Sequence, residues 1–189
     1  MKRQIWILAF VLSACGGSNS SLSEIEESQI PEGAIIQDYE AIPGLQKATV
    51  KEGEITVGEG DFLNGLHHGT WTSYDVQGKI QSIATYLNGR KQGVQLQFDN
   101  IGYVEIKASL VNNKLDGEYL IYKRRAIVGR KNYRNGELHG LQQKLYSNGV
   151  VMEESTYVNG KIDGLARWYD QEGNLTIEYE YDMGKLVNK

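Results

Sequence analysis

A single cysteine, Cys15, stands among 189 residues, so no disulfide can close within the chain and the fold rests on hydrogen bonds and packing. After residue 15 no window shows the 3.6-residue apolar period of a helix. Long apolar runs are also missing. The longest, Ile5 to Leu12, would reach only about 12 Å as a helix, against a hydrocarbon core of about 30 Å, which excludes a stable transmembrane helix. The net charge of -4 excludes bulk attraction to nucleic acid or to an anionic membrane surface. Signatures of chemistry are scarce as well. There is no Gly-x-Ser-x-Gly elbow, phosphate-cradling loop or His-Glu-x-x-His helix, and Gly58-Glu59-Gly60 is too little for a dinucleotide motif. Neither an enzyme nor a cofactor is expected.

What the chain has instead is glycine and tyrosine, placed periodically. The unit Tyr157-Val158-Asn159-Gly160-Lys161-Ile162-Asp163-Gly164 recurs as Phe62 to Gly69, Tyr86 to Gly93 and Tyr133 to Gly140. Two copies are degenerate: one has Leu110, Asn112-Asn113 and Gly117, and the last runs from Tyr181 to Gly184. Gly65, Gly89, Asn113, Gly136, Gly160 and Gly184 are spaced by 24, 24, 23, 24 and 24 residues, a period that signals a repeat architecture. Asn-Gly and the later Gly supply the positive φ angles of tight turns. Between cassettes lie two apolar-patterned runs parted by a second turn, such as Tyr74-Asp75-Val76-Gln77-Gly78 or Tyr169-Asp170-Gln171-Glu172-Gly173. Val104, Ile106, Ala108 and Leu110 alternate with Tyr103, Glu105, Lys107 and Ser109, and Leu175, Ile177, Tyr179 and Tyr181 with Thr176, Glu178 and Glu180. Each is a strand with one wet face. The expected fold is all-β, an elongated single-layer antiparallel meander of five to six hairpin repeats.

The Tyr-x-Asn-Gly-x-x-x-Gly cassette resembles the bacterial variant of the MORN repeat, as found in proteins labelled YwqK-family antitoxins. The resemblance covers about residues 62 to 184. It implies a twisted sheet of hairpins that serves as a binding or spacing module.

The amino-terminal segment reads as an address. Lys2 and Arg3, the apolar run and Ser13-Ala14-Cys15 form the three parts of a secretory signal. Leu12-Ser13-Ala14-Cys15 also resembles the lipobox of bacterial lipoproteins, which implies cleavage of residues 1–14, acylation (palmitate among the chains) at Cys15, and a stable anchor from two or more chains. Gly16, rather than Asp, favours the outer membrane over the inner. Residues 15–33 are rich in Ser, Gly and Glu and are expected to form a flexible tether. Residues 34–61 are expected to supply atypical capping strands, with Pro43-Gly44 between Ala34-Ile35-Ile36 and Ala48-Thr49-Val50, and residues 62–189 the repeats.

Candidate binding residues come from the strand after each cassette, where Trp71, Tyr119, Ile121, Tyr146 and Trp168 share one phase. A single-layer sheet leaves such aromatics available as hot spots or for stacking on a sugar. The plain alternative is packing on neighbours within the sheet. The cassette aromatics Phe62, Tyr86, Tyr133, Tyr157 and Tyr181, and a second column of Tyr74, Phe98, Tyr122 and Tyr169, read as structural ladders. In the third repeat the second turn, Tyr122 to Ala126, lacks Gly and is one residue short. It carries Lys123, Arg124 and Arg125, and with Arg130, Lys131 and Arg134 it forms a candidate anion patch. No metal is expected, because His68 and His139 lie three repeats apart and His67 has no third ligand in sight. Glu153 with Glu154, and Glu178 with Glu180, read as solvated carboxylates rather than an acid and base pair. The expected function is a lipid-anchored envelope scaffold that binds a protein partner. The alternatives are a glycan or cell-wall module, or an antitoxin-like or immunity-like protein that neutralises a partner.

Overall fold

The computed structural model describes residues 28–188. The signal segment, Cys15 and most of the expected tether lie outside the described residues. Among those described there is no helix long and apolar enough to cross a membrane.

One open antiparallel sheet accounts for the described chain. Its strands are β1 (Ile35–Asp38), β2 (Leu45–Glu52), β3 (Ile55–Leu63), β4 (Leu66–Tyr74), β5 (Ile80–Leu87), β6 (Arg90–Phe98), β7 (Val104–Val111) and β8 (Lys114–Lys123). They continue as β9 (Ala126–Arg134), β10 (Glu137–Leu138), β11 (Gly140–Leu145), β12 (Val151–Val158), β13 (Lys161–Tyr169), β14 (Leu175–Asp182) and β15 (Lys185–Asn188). Each strand pairs with the next in sequence, except that β10 is a two-residue start that pairs with β9, after which β11 takes the place beside both β9 and β12. With neighbouring strands about 4.8 Å apart, the sheet extends roughly 60 Å along its hydrogen-bonding direction.

Turn chemistry sets this meander. At the cassette edge each hairpin closes in two residues that both have positive φ, as at Asn64 (52°) with Gly65 (82°) and Asn159 (48°) with Gly160 (79°). This is the turn whose twist matches that of the flanking strands. The turns are also tied to one another: Gly89, Asn113, Gly136, Gly160 and Gly184 donate N–H to the carbonyls of His67, Lys91, Leu115, Leu138 and Ile162, at 2.7 to 3.0 Å. At the opposite edge a longer turn is closed by an aspartate. Asp75 Oδ1 accepts from the N–H of Gln77 and Lys79, and Asp99 and Asp170 do the same in their own repeats.

The second glycine of the cassette has a separate task. Gly69, Gly93, Gly117, Gly140 and Gly164 all have positive φ. Beside most of them the pairing register slips by a bulge, as between Gly60 and Asp61, or between Ala84 and Tyr86. The polar side chain facing the bulge satisfies the freed carbonyls: Thr85 Oγ1 donates to Gln92 and Val94. Between β9 and β11 only two residue pairs remain in register, and Gln142 fills the gap. Its Oε1 accepts from Asn132 N–H and its Nε2 donates to the carbonyls of Asn132 and Gly140, each at 3.1 Å.

Within the span 15–33 expected as a tether, Gln29 makes three hydrogen bonds to the first two cassette turns.

Candidate functional site

Directly paired residues project to the same side of a sheet, so the register defines two faces. The front face has three rows. One follows the cassette: Phe62 opposite His67, Tyr86 opposite Lys91, Leu110 opposite Leu115, Tyr133 opposite Leu138, Tyr157 opposite Ile162 and Tyr181 opposite Leu186. A central row runs through Ala48, Gly60, Trp71, Ala84, Gln95, Ala108, Tyr119 and Lys131, then through Ser155, Ala166 and Tyr179. A third runs through Gly58, Ser73, Ser82, Gln97, Ile106, Ile121 and Gly129, then Lys144, Glu153, Trp168 and Ile177. The cassette ladder and four of the five candidate aromatic positions therefore belong to one surface.

From Gly60 to Tyr119 the central row alternates small with large residues, and this is how a single layer covers itself. Ala48, Gly60, Ala84, Ala108, Ser155 and Ala166 are buried although nothing stacks on the sheet from outside. Trp71 lies across the glycines of β3. A Cβ on Gly58 would come 2.7 Å from its Cζ2, and one on Gly60 2.8 Å from its Cε3. Ile121 covers Gly129 in the same way. Phe62, wholly buried, meets the edge of Trp71 at 5.7 Å and the His67 ring at 4.3 Å, and His67 stacks on Tyr86 at 4.5 Å. Burial holds His67 below the usual imidazole range, with a further push from Lys91, and burial raises Tyr86 and Tyr133.

In these three rows the charges are Lys91, Lys131, Lys144 and Glu153, and Glu153 is paired with Lys144 at 2.7 Å. Lys131 Nζ sits 5.9 Å over the Tyr119 ring. A shallow depression of about 180 Å³ lies here, lined by Lys131, Leu138, Gln142, Lys144, Ser155 and Tyr157 among others.

The back face carries ion pairs on either side of an apolar middle that includes Ile83, Leu96 and the buried Leu120. Tyr74 donates to Glu59 at 2.6 Å while Lys47 approaches it at 2.9 Å. Towards the other end of the sheet, Tyr169 donates to Glu154 at 2.7 Å beside Arg167, which also meets Glu178 at 2.7 Å. Both carboxylates are held below their ordinary range, first by the tyrosine hydrogen bond. Glu153 and Glu154 point to opposite faces, so they are not a pair, and Glu178 and Glu180 project together on the back.

Two sequence-derived groupings come apart. Tyr146 is not on the front face: it occupies the turn position held elsewhere by Asp75, Asp99 and Asp170, and its hydroxyl donates to the Tyr169 carbonyl at 2.9 Å. The repeat at 133–157 carries Tyr where the turn aspartate belongs, and phase counting ran through the turn. The six cations are dispersed as well. Lys123, Arg124 and Arg125 sit at one end of β9 and Arg134 at the other, roughly 25 Å away, while Arg130 and Lys131 project to opposite faces. At the tip, Arg124 (φ 49°) and Arg125 (φ 72°) form a two-residue turn of their own, and the Arg125 guanidinium rests 4.3 Å over the Tyr103 ring while donating to its hydroxyl.

His68 and His139 occupy a position that elsewhere bonds the next turn, a bond that they do not make. In the position of His68 and His139, Gln92 accepts from Asn112 N–H, Asp116 from Asn135 N–H and Asp163 from Met183 N–H. His67, His68 and His139 each keep a buried Nδ1 without a partner, and among the described residues no three His, Cys, Asp or Glu side chains converge as metal ligands. Sequence reasoning missed the His67 stack and the glycine seats under Trp71. Counting across the Asn64-Gly65 hairpin, with allowance for the bulge at Gly69, would have found the seats.

Comparison with known families finds the MORN repeat variant at residues 68–88, 138–159 and 162–183. No curated protein matches the chain. The unmatched stretch between the first two segments follows the same strand and turn plan, although it carries Leu110, Asn112-Asn113 and the arginine tip in place of the usual residues.

Proposed function

We propose that this MORN-type sheet is a non-catalytic binding scaffold, lipid-anchored through Cys15 in a bacterial envelope and engaging another envelope protein with its front face. MORN repeats are repeat modules for binding, and this sheet is not the fold of a known enzyme family. The observation that carries the proposal is the difference between the faces. The ion pairs of Glu59 with Lys47 and of Arg167 with Glu178 lie on the back, whereas the front carries Trp71, Tyr119, Ile121 and Trp168 beside the tyrosine ladder, with Glu153 paired to Lys144. Aromatic and aliphatic side chains preorganised on a rigid sheet are the composition of interface hot spots. Gly16 after the cysteine favours the outer membrane over the inner as the site of the proposed anchor.

The test is crosslinking in the native envelope, comparing wild type with Trp168→Ala and with Trp71→Ala plus Trp168→Ala, each checked for unchanged folding by circular dichroism. Loss of one captured protein in both variants supports the reading; unchanged capture refutes it. Palmitate labelling of wild type, but not of Cys15→Ser, is the expected result for the anchor. A second reading, binding of an acidic glycan, is favoured by the tip at Arg124 and Arg125. Arginines there adopt a conformation that disfavours side chains, and strain of this kind accumulates at functional sites. Binding through that tip would fall steeply with ionic strength, unlike binding through the aromatic face.

A further inference from the structure

The cassette turns form an edge that already holds a piece of chain lying outside every strand. Gln29 N–H donates to the Gly65 carbonyl at 2.8 Å. Its side chain bridges two repeats: Oε1 accepts from His67 N–H at 3.2 Å and Nε2 donates to the Gly89 carbonyl at 3.3 Å. The segment lies close, since a Cβ on Gly65 would fall 3.1 Å from Ser28 Oγ and one on Gly89 2.8 Å from Gln29 Nε2. One repeat further on, the corresponding N–H is taken from within. Lys91 N–H donates at 2.7 Å to Oδ1 of Asn113, which stands where the other turns have glycine.

Beyond that point neither cover is present among the described residues. A Cβ on Gly136 would meet only Lys114 Cβ at 3.9 Å, one on Gly184 only Lys161 Cβ at 4.0 Å, and one on Gly160 nothing within 4 Å. The backbone there repeats the first notch, because Gly136, Gly160 and Gly184 make the same turn-to-turn bonds as Gly89. Three copies of the Gln29 notch follow: Leu115 with Gly136, Leu138 with Gly160, and Ile162 with Gly184.

We propose that this edge binds an extended segment of a protein partner through glutamine side chains. The notch offers one backbone donor and one backbone acceptor, and a carboxamide answers both. A carboxylate cannot donate to the glycine carbonyl, and an ammonium cannot accept from the N–H. Two strands advance about 10 Å per repeat, and three residues of extended chain span about the same distance. Glutamine at every third position would therefore fill successive notches. This surface is the sheet edge, separate from the front face.

The test titrates the ¹⁵N-labelled protein with a capped octapeptide, Ser-Gln-Ile-Ser-Gln-Ile-Ser-Gln, patterned on Ser28-Gln29-Ile30. The amide signals of Leu115, Leu138 and Ile162 should shift, and replacing each Gln of the peptide by Glu should weaken binding by about 10-fold or more. Gly136→Asn with Gly160→Asn should fill two notches from inside, as Asn113 does at φ 67°, and abolish the shifts of Leu115 and Leu138 while Ile162 still responds. In Gln29→Ala the His67 amide should join the responding set. The proposal is overturned if the peptide produces no shift at millimolar concentration, if the Glu peptide binds equally well, or if the asparagine variants respond as wild type does.

Discussion

Replacing Gly58 by Ala probes whether the front face is covered by its own side chains. Gly58 has no positive φ, so alanine is conformationally acceptable and in open space would stabilise the strand by about 0.5 to 1 kcal/mol. The space is not open. The new methyl would lie 2.7 Å from Trp71 Cζ2, 3.4 Å from Cε2 and 3.6 Å from Cη2, and these three indole atoms are its nearest neighbours. Overpacking of this kind costs about 1 to 3 kcal/mol, so the net effect is a destabilisation of about 1 kcal/mol. Removing the indole removes the whole obstacle. In a Trp71→Ala background the same substitution should change sign and stabilise by about 0.5 kcal/mol or more, giving a coupling of about 1.5 to 3 kcal/mol. Urea unfolding of the four proteins of this cycle measures it, with the midpoint as readout at constant slope. Thermal midpoints should move by about 2 to 4 °C for each kcal/mol in a domain of this size. If Gly58→Ala costs the same with and without Trp71, the indole does not rest on the glycine seat and the account of the front face fails.

Gly160→Val should lower stability by about 1 to 2 kcal/mol because φ is 79° there, whereas Gly160→Asn should be nearly neutral; equal losses in thermal unfolding would contradict the turn assignment. Since burial depresses the pKa of His67, its contribution to stability is fully present above the unfolded value of about 6.5 and is lost as pH falls through the lower folded value. Thermal midpoints of wild type should therefore drop between pH 7.5 and 5.5 more than those of His67→Phe. Tyr169→Phe removes the main hydrogen bond to Glu154 and should cost about 1 kcal/mol at pH 7, an effect that fades below pH 4 as the carboxylate becomes protonated in both states; a pH-independent loss would rule out the bond. Arg124→Asn should stabilise the tip by about 0.5 to 1 kcal/mol by relieving its left-handed backbone, read from the urea midpoint.

Much of the fold was legible in the residues because its causes are local. Asn-Gly at a 24-residue period specifies two-residue hairpins, and alternation along 105–110 and 176–181 specifies which side of each strand is wet. The second turns were legible at Tyr74 to Gly78 and at Tyr169 to Gly173, whereas Tyr146 was counted in strand phase although it holds the turn position of Asp75, Asp99 and Asp170. The candidate site was only partly visible. Trp71, Tyr119, Ile121 and Trp168 do share a face, but the sequence does not reveal that the tyrosine ladder lies on that face too, nor that Gly58 and Gly60 are seats for Trp71. The basic residues looked clustered because they are close in number, yet a strand turns alternate side chains to opposite faces and carries its ends far apart.

The chain by itself determined the repeat, the positions of the turns, the strand order and, among the described residues, the lack of any helical element, because each depends on backbone preferences within a few residues. Only the tertiary structure decided which side chains are neighbours. A bulge beside the second cassette glycine shifts the register of successive hairpins, and that shift sets the Trp71 seat and the Phe62, His67 and Tyr86 stack. The docking of Gln29 on turns 36 and 60 residues away likewise depends on two repeats being stacked first, so no local pattern could announce it.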